Sequence, residues 1–351
     1  VPIAQVEARP ATGSQPSEAV VSRPLKVVPA GTLHDVMRGA ARIEIPCLDH
    51  GFVALVDAMP RLIPEGQTAD SAIVQAARVS YGAGTKQVHE DRGLIRYLLR
   101  HRHTTPFEMV EFKFHIAMPI FIARQWIRHR TANVNEYSAR YSILPDRFYR
   151  PSLEAVRKQS KSNRQGGEET FVSAAGKAAG TAGGTGVSPV PDPPSGTSPA
   201  PDEATQTAQD FLAFLDRSEA LYKDYTALTN AGVSRELARM GLPVSVYTEW
   251  YWKCDLHNIL RFLSLRMDKH AQLEIRIFAQ AMHDLIASIV PITMEAWRDY
   301  EFEALHLTRL EIDALSQSLR AGGSMQPIAT DNKREQAEWQ DKAVRLGFSP
   351  E

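Results

Sequence analysis

Between Val110 and Ile116 the chain alternates, with Val110, Phe112, Phe114 and Ile116 set against Glu111, Lys113 and His115. That is the two-residue period of a half-buried strand. Pro119 follows, a residue suited to the first turn of a helix. Beyond it Ile120, Ala123, Trp126 and Ile127 recur at helical spacing, leaving Arg124, Gln125, Arg128 and His129 for other faces. Three amphipathic segments lie further on. Residues 208–232 form the first, with Gly232 placed as a C-cap; residues 234–242 form a short one that Pro243 halts. Residues 245–266 predict one long helix whose apolar stripe is Trp252, Leu256, Ile259, Leu260 and Leu263, interrupted by Asp255, His257, Asn258 and Arg261. A further helix over 271–290 stops before Pro291, and "RLEIDALSQSL" at 309–319 adds another. No fixed-period repeat is present, which argues against solenoids and propellers. The balance predicts an α+β fold, a helix-rich single core domain with a small antiparallel or mixed sheet flanked by helices.

Composition divides the chain further. Residues 1–42 are rich in Pro, Ala, Val and Ser with little periodicity, which predicts a poorly ordered N-terminal extension. The core is expected over 43–305, interrupted at 157–207 by a Gly, Ala, Pro and Ser tract with almost no large apolar side chains. Such a tract cannot offset its ordering entropy and is expected to be a disordered insertion. Residues 306–351 form a partly helical C-terminal extension. Forty Lys and Arg against 41 Asp and Glu give a net charge of -1, so bulk charge supports neither nucleic acid nor anionic membrane as a partner. The longest apolar runs, such as "IAMPIFIA" at 116–123, are too short to span a bilayer. Two cysteines, Cys47 and Cys254, lie far apart without a CxxC or CxH partner, which suits a reducing cytoplasm better than a disulfide scaffold or a structural zinc site.

Candidate chemistry centres on arginine beside hydrogen-bonding side chains. A guanidinium stays charged and forks onto phosphate or carboxylate, so Arg128, Arg130, Arg140, Arg239 and Arg266 together describe a site for anionic ligands. Asn and Gln nearby suit the mixed donor and acceptor edge of a base. Surface salt bridges on unrelated helices remain the alternative for any one of these arginines. A "GAG" at 82–84 and the glycines at 180–186 do not sit between a strand and a helix, so no dinucleotide fingerprint or P-loop is present. His101 and His103 form an HxH pair without a third ligand at metal spacing, and no metal is expected. Thr104 and Thr105 precede Pro106 with Glu108 in the first turn, the pattern of a helix start, while His103 could instead pack on a cofactor. Cys254 is read as a small buried hydrophobe, since nothing adjacent would lower its pKa.

Taken together these segments resemble the flavin-dependent thymidylate synthases. That family's signature is RHR, seven residues and a Ser, matched here by Arg128, His129, Arg130, "TANVNEY" and Ser138, and extended by Arg140 and Tyr141. "AARVSY" at 76–81, "HRHTTPFE", "FIARQW", "SRELARMGLP" and "LRMDKHAQLEIR" support it from distant points. The resemblance implies FAD held by Thr105, Arg128, His129, Arg130, Glu136, Asp255, Leu256, His257 and Arg261. It implies dUMP held by Gln125, Trp126, Ile127 and Arg128, by Glu136, Tyr137, Ser138, Ala139 and Arg140, and by Arg239 and Arg266, with His103 and Ser80 as further candidates. Within the motif, Asn133–Asn135 is read as the connecting turn.

The implied reaction is reductive methylation of dUMP to dTMP in nucleotide biosynthesis. 5,10-Methylenetetrahydrofolate gives the carbon, and FADH2, regenerated by NADPH, gives the hydride. Arg266 is the implied activator, a cation that would stabilise the ionised uracil edge. Ser138 has no neighbouring base and is read as orienting dUMP rather than attacking it. Many relatives carry Asn, Arg and Asn where this chain has Asp255, His257 and Arg261, and an Asp would repel a flavin phosphate. The resemblance also implies a homotetramer whose sites combine residues of several subunits. Two other readings stand beside it: a flavin-dependent transferase or reductase of the same fold acting on another nucleotide, and a nucleic-acid-binding module, which the neutral net charge disfavours.

Overall fold

The structure, a computed structural model, describes residues 26–27, 43–61, 67–80, 91–160, 166–172 and 203–349. The strands are β1 Lys26–Val27, β2 Ile43–Cys47, β3 Gly51–Met59, β4 Glu111–Pro119, β5 Asn133–Glu136, β6 Arg157–Gln159, β7 Gly167–Thr170 and β8 Tyr247–Asp255. Six of them make one sheet in the order β1-β2-β3-β4-β8-β5, in which every neighbouring pair is antiparallel. The helices up to the motif are α1 Asp70–Val79, α2 Asp91–Arg100, the single turn α3 Thr105–Glu108 and α4 Ile120–Trp126. After it come α5 Glu203–Glu219, α6 Leu221–Asn230, α7 Arg235–Ala238, α8 Leu256–Arg266, α9 Leu273–Ala287, α10 Pro291–Trp297, α11 Arg309–Arg320 and α12 Lys333–Arg345. The α+β class is as expected.

The core forms where alternation meets the sheet register. Phe112, Phe114 and Ile116 of β4 lie opposite Cys254, Trp252 and Trp250 of β8, and all six are buried on one face. Trp126, at the end of α4, is fully buried among them: it stacks on Phe262 of α8 at 4.5 Å and meets Trp250, Trp252 and Phe278 edge-on. The opposite face carries Glu111, Lys113 and His115 against Lys253 and Tyr251. Gly51, at the β2–β3 turn, leaves no room for a side chain, because a Cβ there would stand 2.7 Å from the Ala117 carbonyl oxygen.

Three expected elements differ. Residues 245–266 are a strand followed by a helix. Tyr247–Asp255 alternates buried and exposed positions over the period of a strand, and bulky aromatics fit a pleated, half-buried surface. Asp255 then caps α8, its side chain accepting from the Asn258 N–H. Asn133–Asn135 is no simple turn but part of β5, an edge strand paired with β8 from Asn133↔Lys253 to Glu136↔Trp250. The segment expected over 208–232 begins at Glu203 and breaks at Ala220 into α5 and α6, with Gly232 at φ +96° ending it as foreseen.

Part of the tract expected to be a disordered insertion is ordered: β6 pairs with β7, and α5 starts at Glu203. Residues 161–165 and 173–202 of that tract lie outside the described residues, as does the N-terminal extension apart from β1. The residues up to Ile292 form one compact unit and those from Thr293 another, so the division falls earlier in the chain than the expected 305/306 boundary. In the second unit α11 is the helix foreseen at 309–319, closed at its start by a capping box between Thr308 and Glu311. Its core joins Ala314, Ile328, Trp339 and Ala343. Among the described residues no helix is long and apolar enough to cross a membrane.

Candidate active site

The loop that leaves α4 and enters β5 carries the arginine motif, and β8 sets it beside α8. At the far end of that helix the Arg266 guanidinium donates through Nε to His129 Nε2 at 3.2 Å and through Nη2 to the Gln125 carbonyl oxygen at 3.4 Å. A guanidinium can only donate, so His129 Nε2 must be an acceptor and the ring proton sits on Nδ1. Burial, then the charges of Arg266 and Arg261, push the His129 pKa down to about 4. The imidazole is therefore neutral at pH 7. Burial and the nearby charge of Arg128 likewise lower the pKa of Arg266.

Three guanidinium groups, those of Arg128, Arg261 and Arg266, are thus gathered without neutralisation. Among the described residues no carboxylate lies at ion-pair distance from Arg128, Arg130, Arg239, Arg261 or Arg266. Gln125 Oε1 is buried with no hydrogen-bond partner, another group in want of one. Guanidinium groups without a carboxylate and a neutral Nδ1–H are donors for a diphosphate, and the Gln125 amide oxygen is an acceptor for an N–H of a base edge, so the residues present fit a flavin nucleotide.

A second group forms further along the motif. Tyr137 donates its backbone N–H to the Glu249 carbonyl at 2.7 Å and its hydroxyl to the Ile143 carbonyl at 2.9 Å. Ala139 is buried in a small cluster with Leu144, Phe148 and Val246. Ser138 Oγ accepts the Arg140 backbone N–H at 3.3 Å. The Arg140 side chain pairs with Glu236 of α7 at 3.2 Å, while Arg235 donates to the Tyr141 carbonyl. Glu136, ending β5, accepts from the Thr248 hydroxyl at 2.8 Å. Arg239, half-buried, follows α7 directly.

The structure thus unites Gln125, His129 and Arg266 in one cluster, with Arg128 and Arg261 near enough to act on its charges, and Ser138, Arg140 and Glu236 in another. No hydrogen bond or ion pair joins the two. Trp126 and Leu256 are fully buried in the core rather than open to a ligand, whereas Ile127 is 43% exposed. Thr105 opens α3 with Thr104 as a cap that makes no side-chain bond, and Ser80 ends α1 with its N–H on the Ala77 carbonyl. His101 and His103 flank the Tyr97 ring at 4.3 and 6.0 Å. Asp255 spends its carboxylate on the Asn258 N–H and Nδ2. His257 is half-buried on α8.

Sequence reasoning missed Glu236 as the partner of Arg140 and Thr131 as the partner of Asn258, pairs 96 and 127 residues apart. Cys254 points its thiol at the Thr131 carbonyl, 3.3 Å away, and burial raises its pKa well above the usual thiol range, so it is no nucleophile. A cavity of about 1080 Å³ lies elsewhere, lined by Phe121, Tyr149, Phe171, Phe211, Lys269 and Glu274 among others, and includes none of the clustered arginines. Within the arginine cluster, Arg128 and Arg261 stand open to solvent.

The family profile described as "Thymidylate synthase complementing protein" matches residues 61–292, ending where the first compact unit ends. A protein of Dictyostelium discoideum named flavin-dependent thymidylate synthase is 58% identical over 321 residues, covering 92% of this chain and 93% of its own. One of Wolbachia pipientis wMel with the same name is 44% identical over 296 residues, covering 84% and 90%. Among solved structures, the UMP/dUMP methylase PolB from Streptomyces cacaoi bound with 5-Br dUMP is 29% identical with a TM-score of 0.54, over 74% of this chain and 99% of that one.

Proposed function

The chain belongs to the flavin-dependent thymidylate synthase family, and on that premise we propose that it converts dUMP to dTMP by reductive methylation. Methylenetetrahydrofolate would give the carbon and NADPH the reducing equivalents. The observation that carries this reading is the carboxylate-free cluster of Arg128, His129, Arg261 and Arg266. When bound, the reduced flavin supplies the hydride. Arg128, His129, Arg130 and Arg261 would hold its diphosphate, with Thr105, Glu136 and His257 at its edges. Asp255 would contribute through its backbone, since its carboxylate is already engaged.

Arg266 uses two of its five N–H donors inside the chain, leaving three for the uracil edge. Held by a neutral imidazole and a carbonyl, it keeps its full charge, and a preorganised cation stabilises negative charge developing on the base. His129 offers its Nδ1–H to an anion while its Nε2 fixes Arg266. Ser138, Arg140 and Arg239 would bind the nucleotide phosphate. Arg140 can leave Glu236 at little cost, because exposed ion pairs are worth about 0.2–1 kcal/mol. No imidazole or carboxylate among the described residues hydrogen-bonds Ser138 Oγ, and the Cys254 thiol is held protonated, which supports chemistry without a covalent enzyme nucleophile.

A homotetramer whose subunits complete one another's sites is part of the same proposal, and light scattering of the purified protein tests it. The likeness to a UMP/dUMP methylase supports testing UMP as a second substrate. Purified protein should be yellow and should transfer label from methylenetetrahydrofolate to dUMP when given NADPH. A yellow protein that methylates UMP but not dUMP would establish the second substrate instead. A colourless protein that binds no flavin would overturn the reading.

A further inference from the structure

The arginine loop has to lie against α8 although both carry positive charge. Arg128 and Arg130 are on the loop, and Arg261 and Arg266 are on the helix. Like charges on the two elements repel, and after burial the charge of Arg128 is the second cause that lowers the Arg266 pKa. Two fasteners oppose it. The first is the bond from Arg266 to His129, in the helix's last turn. The second lies in its first turn and joins Thr131 to Asn258, two residues to which the family resemblance gives no role.

There Thr131 Oγ1 donates to Asn258 Oδ1 at 2.8 Å. Asn258 in turn donates its N–H to Asp255 Oδ1 at 2.9 Å and its Nδ2 to Asp255 Oδ2 at 2.8 Å. The carboxylate can only accept, so it fixes which end of the Asn258 amide is the nitrogen; the amide oxygen must then face Thr131, whose hydroxyl must donate. Cys254 donates its thiol to the Thr131 carbonyl at 3.3 Å. Thr131 is therefore gripped at both its hydroxyl and its carbonyl by the β8–α8 junction. The helix positions of the two fasteners, Asn258 and Arg266, lie eight residues apart on α8, about 12 Å at 1.5 Å per residue.

We propose that Asn258 is a positioning residue, which through Thr131 registers the arginine loop on α8 and so sets the affinity for FAD. The inference rests on the flavin reading of the cluster. It also gives Asp255 a purpose that an acid beside a diphosphate otherwise lacks: the carboxylate faces the cap and the amide. The bonds of the bridge run only between Thr131, Asn258, Asp255 and Cys254, at an exposed position of the loop, so its loss should appear in binding before it appears in stability.

The test uses the full chain stripped of flavin, with FAD affinity measured by fluorescence quenching and the melting temperature of the FAD-free protein measured beside it. Thr131 is exposed, and Thr131→Val keeps its shape while removing the hydroxyl. That variant should bind FAD about fivefold more weakly, the worth of one net hydrogen bond, with its melting temperature unchanged. Thr131→Ser should restore wild-type affinity. Asn258→Ala should also weaken binding, and the double variant Thr131→Val with Asn258→Ala should be no weaker than Asn258→Ala alone, because both remove the same bond. Thr131→Val binding FAD as the wild type does, or two losses that multiply in the double variant, would overturn the bridge alone. A wild-type chain that takes up no FAD would overturn the flavin reading and the inference with it. If Asn258→Ala fails to fold, the Thr131→Val and Thr131→Ser pair still decides.

Discussion

Protonation of His129 is the perturbation whose size the structure fixes best. The ring stands edge-on to Phe262 at 4.9 Å, with Arg266 Nε at 3.2 Å on one nitrogen. Adding a proton there places a third cation between Arg266 and Arg261 and removes the lone pair that Arg266 uses. Burial and those charges lower the pKa from the ordinary 6.5 to about 4. At about 1.36 kcal/mol per pH unit, that difference corresponds to about 3 kcal/mol. Solvent reaches part of the ring, and screening brings the expectation to ~1–2 kcal/mol. The sign follows from linkage. Between pH 4 and 6.5 the unfolded chain holds the proton and the folded chain does not, so this contribution is complete above pH 6.5 and is lost as the pH falls through about 4. An NMR titration of the imidazole, with urea unfolding at pH 7 and pH 5 for wild type and His129→Gln, measures both. The wild type should lose more stability than the variant over that interval, and the neutral ring should show its proton on Nδ1. A ring that titrates near 6.5, or a proton found on Nε2, would refute the reasoning. Anion binding should raise the His129 pKa, because the phosphate's affinity and the proton's are coupled reciprocally.

Arg266→Ala should lower dTMP formation by about 10²–10³-fold, the cost of one preorganised charge donor, while the protein stays yellow; loss of flavin on purification would contradict the assigned role. Trp126→Ala empties the centre of the aromatic cluster and should cost ~3–5 kcal/mol in denaturant unfolding, and a loss below about 1 kcal/mol would mean that the core closes over the gap. In the second unit, Lys342 donates to both oxygens of Glu311, which is 3% exposed. Burial alone would raise the Glu311 pKa, but hydrogen bonds from Lys342 and Thr308 hold it below its ordinary value. Lys342→Met should therefore destabilise that unit by ~3 kcal/mol, read from hydrogen exchange in α11 and α12, and adding Glu311→Gln should recover part of the loss; equal protection in wild type and single variant would show that the pair contributes nothing.

The elements that sequence reasoning found are those whose period is unambiguous. In β4 charged and apolar residues alternate strictly, and α9 repeats every three to four residues until Ser288. β8 was hidden because two periods fit the same letters. Trp252 is four residues before Leu256, so the helical stripe extends smoothly back into the strand, yet Tyr247, Trp250 and Trp252 equally suit a pleated face. Pairing decided the matter, with β4 on one side and β5 on the other, and neither pairing is local. The NVNE stretch of β5 has one apolar side chain and no pattern of its own, so only its neighbour makes it a strand. At the site, the arginines were legible as charges but their partners were not. Glu236 and Asn258 look like ordinary solvated helix residues until the fold brings Arg140 and Thr131 to them.

Under the proposed function, how each arginine is held separates binding from activation. Arg140 rests on a carboxylate at the surface, so its charge is cancelled at low cost until a phosphate competes for it. A carboxylate on Arg266 would be ruinous by the same logic, since a neutralised guanidinium could not respond to charge developing on a base. It is held instead by a ring nitrogen and a peptide carbonyl, acceptors that fix direction without cancelling charge. Like-charge repulsion is the cost of that choice, and under the proposal above the Thr131–Asn258 bridge ties down the loop on which it falls. Asp255, an acid at the start of the same helix, shows the arrangement from the other side. Its charge is turned onto the helix's own N–H and the Asn258 amide, where it secures the scaffold and leaves the arginines bare.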